Sequence, residues 1–119
     1  MWKQFYHLFY WLDYWFVDPL PFSPPAFHED HYMEPGVISP RVLAMQQLLS
    51  YYGEVKAHIE RYLSDVTGDQ LKKEYEVRGQ KRFRLEMIGQ FDHVGHHLGY
   101  ICATVRVLTG HPIWKTADR

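Results

Sequence analysis

The chain has 119 residues, 46% hydrophobic and 17% aromatic, enough to build the core of one domain. Its 13 basic residues are balanced by 14 acidic ones, which excludes a nucleic-acid partner held by phosphate neutralisation. No uncharged apolar run approaches the roughly 20 residues of a membrane-spanning helix, and the single Cys102 excludes an internal disulfide and points to the reducing cytoplasm.

Residues 1–17 hold nine aromatic side chains and neither Gly nor Pro. Strict alternation fails there, so a helix is expected, apolar around its whole circumference and in need of cover on every side. Lys3, Asp13 and the missing small-residue cleavage site argue against a secretory leader. Asp18-Pro19 marks the end of this helix, and residues 18–38, with Pro19, Pro21, Pro24, Pro25 and Pro35, are expected to lack regular structure. At ~3.3 Å per extended residue such a crossover can return along a bundle, so the helices on either side can run parallel.

Ser39 as N-cap and Pro40 at the first helical position predict a long amphipathic helix over 40–66. It is striped by Val42, Met45, Leu48, Leu49, Tyr52, Val55, Ile59, Tyr62, Leu63 and Val66 and closed by Gly68 as a left-handed cap. Residues 69–82 are polar and aperiodic and read as a connector with one helical turn near Asp69. The last helix is expected over 83–109, its stripe centred on Val94, Leu98, Ile101 and Val105, with Gly110 and Pro112 ending it. No segment reads as a strand. The class is all-α: one helical domain over 1–119 with three long helices.

Eight histidines are the chemical signal. His93 and His97 lie one turn apart, roughly 6 Å between Cβ atoms, on one flank of the apolar stripe, while His96 points almost away from the core. Such a pair is a bidentate arm for Zn²⁺, Ni²⁺ or Fe²⁺, and it needs a third ligand. His7, set among aromatics in the first helix, is the best candidate; the plainer reading makes it a core histidine bonded to a carbonyl or tyrosine. His28 and His31, with Glu29 and Asp30, sit in the proline-rich segment and read as solvated rather than ligating. His58 reads as packing, His111 as a cation suited to a helix C-terminus, and Cys102 as a small core residue.

The arrangement resembles the DinB superfamily of four-helix-bundle proteins. The likeness rests on a His flanked by aromatics (FYHLFYWLDYWF), a Pro-rich crossover, a long amphipathic helix, and then HVGHHLGYICATVRVLTGHPIW, with His93, His96, His97, Gly99, Ile101, Arg106, Gly110, Pro112 and Trp114. The resemblance implies a DinB-like bundle binding a divalent metal through His7, His93 and His97. It also implies a metal-dependent thiol transferase or related enzyme, using a low-molecular-weight thiol and a small-molecule substrate; the alternative is a non-catalytic metal-binding or interaction module. The family's first helix has no counterpart in residues 1–119, so a homodimer is expected in which the first helices cover each other.

Overall fold

A computed structural model describes residues 1–16, 22–34, 36–77 and 80–113; the expected helix stop at Asp18-Pro19 and Trp114 of the family-like motif lie outside them. The protein is mostly helical. Its elements are α1 (Trp2–Phe16), a 3-10 turn (Asp30–Met33), α2 (Met45–Asp65), the short α3 (Gly68–Leu71), β1 (Glu74–Val77), β2 (Gln80–Phe83), a second 3-10 turn (Arg84–Ile88) and α4 (Gly89–Thr109). Among the described residues no helix is long and apolar enough to cross a membrane.

α1 is the central element. Tyr6 contacts Tyr51 of α2, Asp13 contacts His58 and Phe16 contacts Tyr62, so numbers rise together and the two helices run parallel, as the long crossover allows. On its other side α1 meets α4 in the opposite sense: Gln4 meets His97 and His7 meets His93. A third side is covered by the crossover, whose Phe27 and Tyr32 pack on Tyr6. The expectation that α1 lacks cover is therefore corrected: every residue from Trp2 to Phe16 is buried or half-buried.

The two charges in α1 are buried with partners. Lys3 Nζ donates to the carbonyls of His31 (2.7 Å), Glu34 (3.1 Å) and Val37 (2.5 Å), pinning the crossover against the helix through three charge-assisted hydrogen bonds. The Asp13 carboxylate accepts from Tyr51 Oη at 3.1 Å and His58 Nδ1 at 2.6 Å. His58 is thus a hydrogen-bonded partner of a buried carboxylate and not packing alone.

Three boundaries differ from expectation. α2 starts at Met45, not at Pro40, because the Ser39 hydroxyl is engaged by His31 Nε2 at 2.8 Å. The Gln47 side chain instead reaches back to the Ala44 N–H at 3.1 Å. Gly68 does not cap α2; Thr67 caps α3, exchanging hydrogen bonds with Gln70 (Gln70 N–H to Thr67 Oγ1, 3.3 Å; Thr67 N–H to Gln70 Oε1, 2.7 Å), a capping box at the expected helical turn. Gly110 does close α4 in the left-handed region, with φ 74°.

The connector holds an antiparallel hairpin where no strand was expected, Glu74 pairing with Phe83 and Val77 with Gln80, and the 3-10 turn delays α4 to Gly89. Arg84, buried in that turn, donates from Nε to Tyr62 Oη at 2.7 Å and stacks its guanidinium on Tyr62 and Tyr75. With Phe16, Tyr62 and Met87 it forms a second core at the far end from the Tyr6, Tyr32, Leu48, Tyr51 and Val55 cluster.

Candidate metal centre

α1 and α4 cross where both carry histidine. The single helical turn between His93 and His97 projects them from the same flank of α4, and α1 presents His7 between them. Ring centroids are 4.9 Å apart for His7 and His97, 5.5 Å for His7 and His93, and 4.6 Å for His93 and His97. One nitrogen from each ring lies within 4.8 Å of the other two. The three residues singled out from spacing are thus brought together, while His96 is exposed.

The packed face of α4 is rotated from its expected centre. His97 and Ile101 are buried, whereas Leu98 is 37% exposed, so the line facing α1 runs through the histidines and not through Val94 and Leu98. Sequence periodicity marked the apolar stripe; α1, by presenting Gln4 and His7, draws the polar flank inward.

Two glutamines orient the pair. The Gln4 Oε1 stands 2.7 Å from His97 Nδ1, and the Gln90 Oε1 3.0 Å from His93 Nδ1. An amide oxygen only accepts, so each Nδ1 carries the proton and each Nε2 keeps a bare lone pair. Those two Nε2 atoms face each other at 2.9 Å. Two acceptors so close repel unless a positive charge lies between them. A proton is disfavoured there: burial first, and then the neighbouring His93, His7 and His96, lower the His97 pKa to about 4. Burial, aided by His96 and opposed by Asp92, lowers that of His93 as well.

The residues fit a metal. A neutral imidazole nitrogen binds Zn²⁺ at about 2.0–2.1 Å, which puts two ligands about 2.9 Å apart at right angles and about 3.4 Å apart in a tetrahedron. The outer nitrogens held by amide oxygens match the usual support of metal-bound histidines. Beside His7 opens a cavity of about 510 Å³, lined by His7, Tyr10, Trp11 and Tyr14 of α1 and His28, Asp30 and Met33 of the crossover.

The second histidine group is not solvated as expected. His28 Nδ1 lies 2.6 Å from Tyr6 Oη and its ring stacks on Tyr10 at 5.0 Å, while His31 is tied to Ser39. They serve the crossover's packing, and neither joins the three-histidine cluster. Cys102 is half-buried, in keeping with a core role. Sequence reasoning missed Gln4 and Gln90; the spacing Gln90-x-x-His93 was available as a helical i,i+3 pair, but Gln4 acquires its role only through the tertiary crossing.

No protein-family model, curated protein or solved structure matches this chain.

Proposed function

We propose that the chain is a divalent-metal-binding helical domain of the DinB type, its ion held by His7, His93 and His97. The observation that carries the reading is the pair of Nε2 atoms at 2.9 Å, with the Nδ1 of each ring facing a glutamine oxygen, an arrangement that favours the tautomer with both Nε2 lone pairs bare. The donor set, three neutral imidazoles, suits Zn²⁺, Ni²⁺ or Fe²⁺. Three protein ligands leave at least one position open, the mark of a catalytic and not a structural site. A bound ion would supply Lewis acidity toward a thiolate or water in that position.

In support of an enzyme, the cavity beside His7 is of small-molecule size. The order of elements, with an aromatic His-bearing helix, a long crossover, a parallel second long helix and a His-pair helix, favours the DinB-like reading, and with it a metal-dependent transfer reaction of a low-molecular-weight thiol. Fold-level analogy carries that last step.

The test begins with protein purified without a nickel column and analysed for metal by mass spectrometry. One ion per chain is expected, removable by chelator. His97→Ala abolishes uptake, whereas His96→Ala, at an exposed position, leaves it nearly intact. Equal losses from the two variants would refute the ligand assignment. Chelator-sensitive thiol transfer then identifies the enzyme; stoichiometric metal without it identifies a binding module.

A further inference from the structure

The cavity beside His7 has two walls of different chemistry. One is a face of α1: His7, Tyr10, Trp11 and Tyr14 follow at three- and four-residue steps, the spacing that sets side chains on one side of a helix. Their rings do not stack on one another. Tyr10 and Trp11 stand at 83° with centroids 5.8 Å apart, and Trp11 and Tyr14 at 70° with centroids 5.4 Å apart. All three residues are half-buried, so π surface borders the cavity at steeply different inclinations, as in sites that surround a cation with rings. The other wall is the crossover, and it is polar. Asp30 turns its carboxylate fully to water, 3.6 Å from His28 Nε2. Burial raises the Tyr6 phenol above its usual range, so Tyr6 keeps its proton and can donate it to His28 Nδ1 at 2.6 Å. That arrangement favours a neutral His28 with its proton on Nε2. Among the described lining residues Asp30 is the one carboxylate, and neither lysine nor arginine is present.

We propose that this cavity takes the ammonium group of a small organic cation, held against the rings of Tyr10, Trp11 and Tyr14. Three features select that class. Ring faces carry the negative end of the aromatic quadrupole and attract cations. The Asp30 carboxylate, with no lysine or arginine beside it in the lining, attracts the same charge and repels anions. The volume of about 510 Å³ is that of small-molecule sites. His7 belongs both to this lining and to the histidine cluster, which sets the ligand beside the candidate metal centre. That the ligand is a substrate rests on the proposed function; the binding of a cation does not.

Choline is the probe, titrated by calorimetry into chelator-treated full-length chain, where no metal ion opposes a second positive charge. Saturable binding is expected, with a Kd of about 1 mM. The uncharged analogue of choline, with carbon in place of nitrogen, has the same shape and is expected to bind roughly tenfold or more weakly. Trp11→Leu and Tyr14→Leu each keep an apolar side chain but remove a ring, and each raises the choline Kd about fivefold or more. Helical circular dichroism reports the folding of both variants, and either one suffices if the other misfolds. No saturable choline binding, an uncharged analogue within twofold of choline, or folded ring variants that bind choline as the wild type does would each overturn the proposal. Metal analysis of the same protein separates the two readings. Choline binding without metal uptake keeps the cation site and removes the metal centre, and metal uptake without choline binding does the reverse.

Discussion

Gln4→Leu is the sharpest perturbation of the centre that leaves all three ligands in place. It removes the oxygen 2.7 Å from His97 Nδ1 in a residue only 8% exposed, so the Nδ1–H loses its partner at a site with little water. Leaving a buried donor unsatisfied costs about 1–3 kcal/mol. The imidazole has one escape: moving its proton to Nε2, which also relieves the repulsion from the bare His93 Nε2 at 2.9 Å. That tautomer cannot ligate through Nε2. Metal binding must then reverse the proton shift, and the expected loss is 10–100-fold in affinity, about 1.4–2.7 kcal/mol, with one ion per chain still bound at saturation. Gln4→Glu, which restores an acceptor and adds charge, is expected to recover or exceed wild-type affinity. Titration calorimetry with Zn²⁺ on chelator-treated protein measures both. Affinity for Gln4→Leu within twofold of wild type would show that Gln4 does not set the tautomer, and the argument from facing lone pairs would fall with it.

Acid should weaken the metal-free fold through His97. Its folded pKa of about 4 lies below the free value near 6.5, so between these values the unfolded chain binds the extra proton, and stability is lost as pH falls through that window, by at most about 3 kcal/mol. Urea midpoints of the apo protein at pH 5 and 7 measure the effect; His97→Gln should flatten the difference, and an unchanged slope would exclude His97 as its source. Asp13→Ala removes the shared acceptor of Tyr51 and His58, leaves the buried Tyr51 hydroxyl without it, and is expected to cost about 2–4 kcal/mol in a denaturant titration; a loss under 1 kcal/mol would mean water replaces the carboxylate.

The three histidines were legible because their evidence is local: an i,i+4 pair on a long helix, and one His inside a segment too aromatic to be exposed. The long helices were legible for the same reason, period and composition. The misread positions depend on partners distant in the chain. Ser39-Pro40 is a good helix start in isolation, but His31 competes for the serine hydroxyl. Lys3 looks like surface charge until three crossover carbonyls surround it. The hairpin was available as E-Y-E-V-R-G-Q-K-R-F, where Tyr75 and Val77 alternate with Glu74 and Glu76 ahead of an Arg-Gly pair, although Gln80-Lys81-Arg82-Phe83 after it does not alternate. It was lost because short exposed strands bury too little to outweigh their polar composition, and Arg84 secures the turn that follows from outside it.

α4 shows why the apolar stripe and the buried face need not coincide. His97 and His93 lie about 70° and 110° from the centre of its apolar stripe, and the fold turns the histidines toward α1. The helix is consequently held by little apolar packing: of its 21 residues only His97 and Ile101 are fully buried, whereas α2 buries Leu48, Tyr51, Val55 and Tyr62. A helix so sparsely packed opens at low free energy. An ion shared by His7 of α1 and the His93–His97 pair of α4 would cross-link those two helices and leave α2 untouched. Binding at 100 times Kd stabilises the native state by about 2.7 kcal/mol, and where opening of α4 breaks the site, that whole amount opposes the opening. Amide exchange in α4 around 90–101 should therefore slow by up to about 100-fold on adding Zn²⁺ to apo protein, with α2 slowed less unless it exchanges only by global unfolding. Hydrogen-exchange mass spectrometry resolves the two helices. Protection confined to α2 or to the crossover near His28 and His31 would place the ion elsewhere; no protection in α4 at saturating metal would show that the ion does not tie α4 to α1.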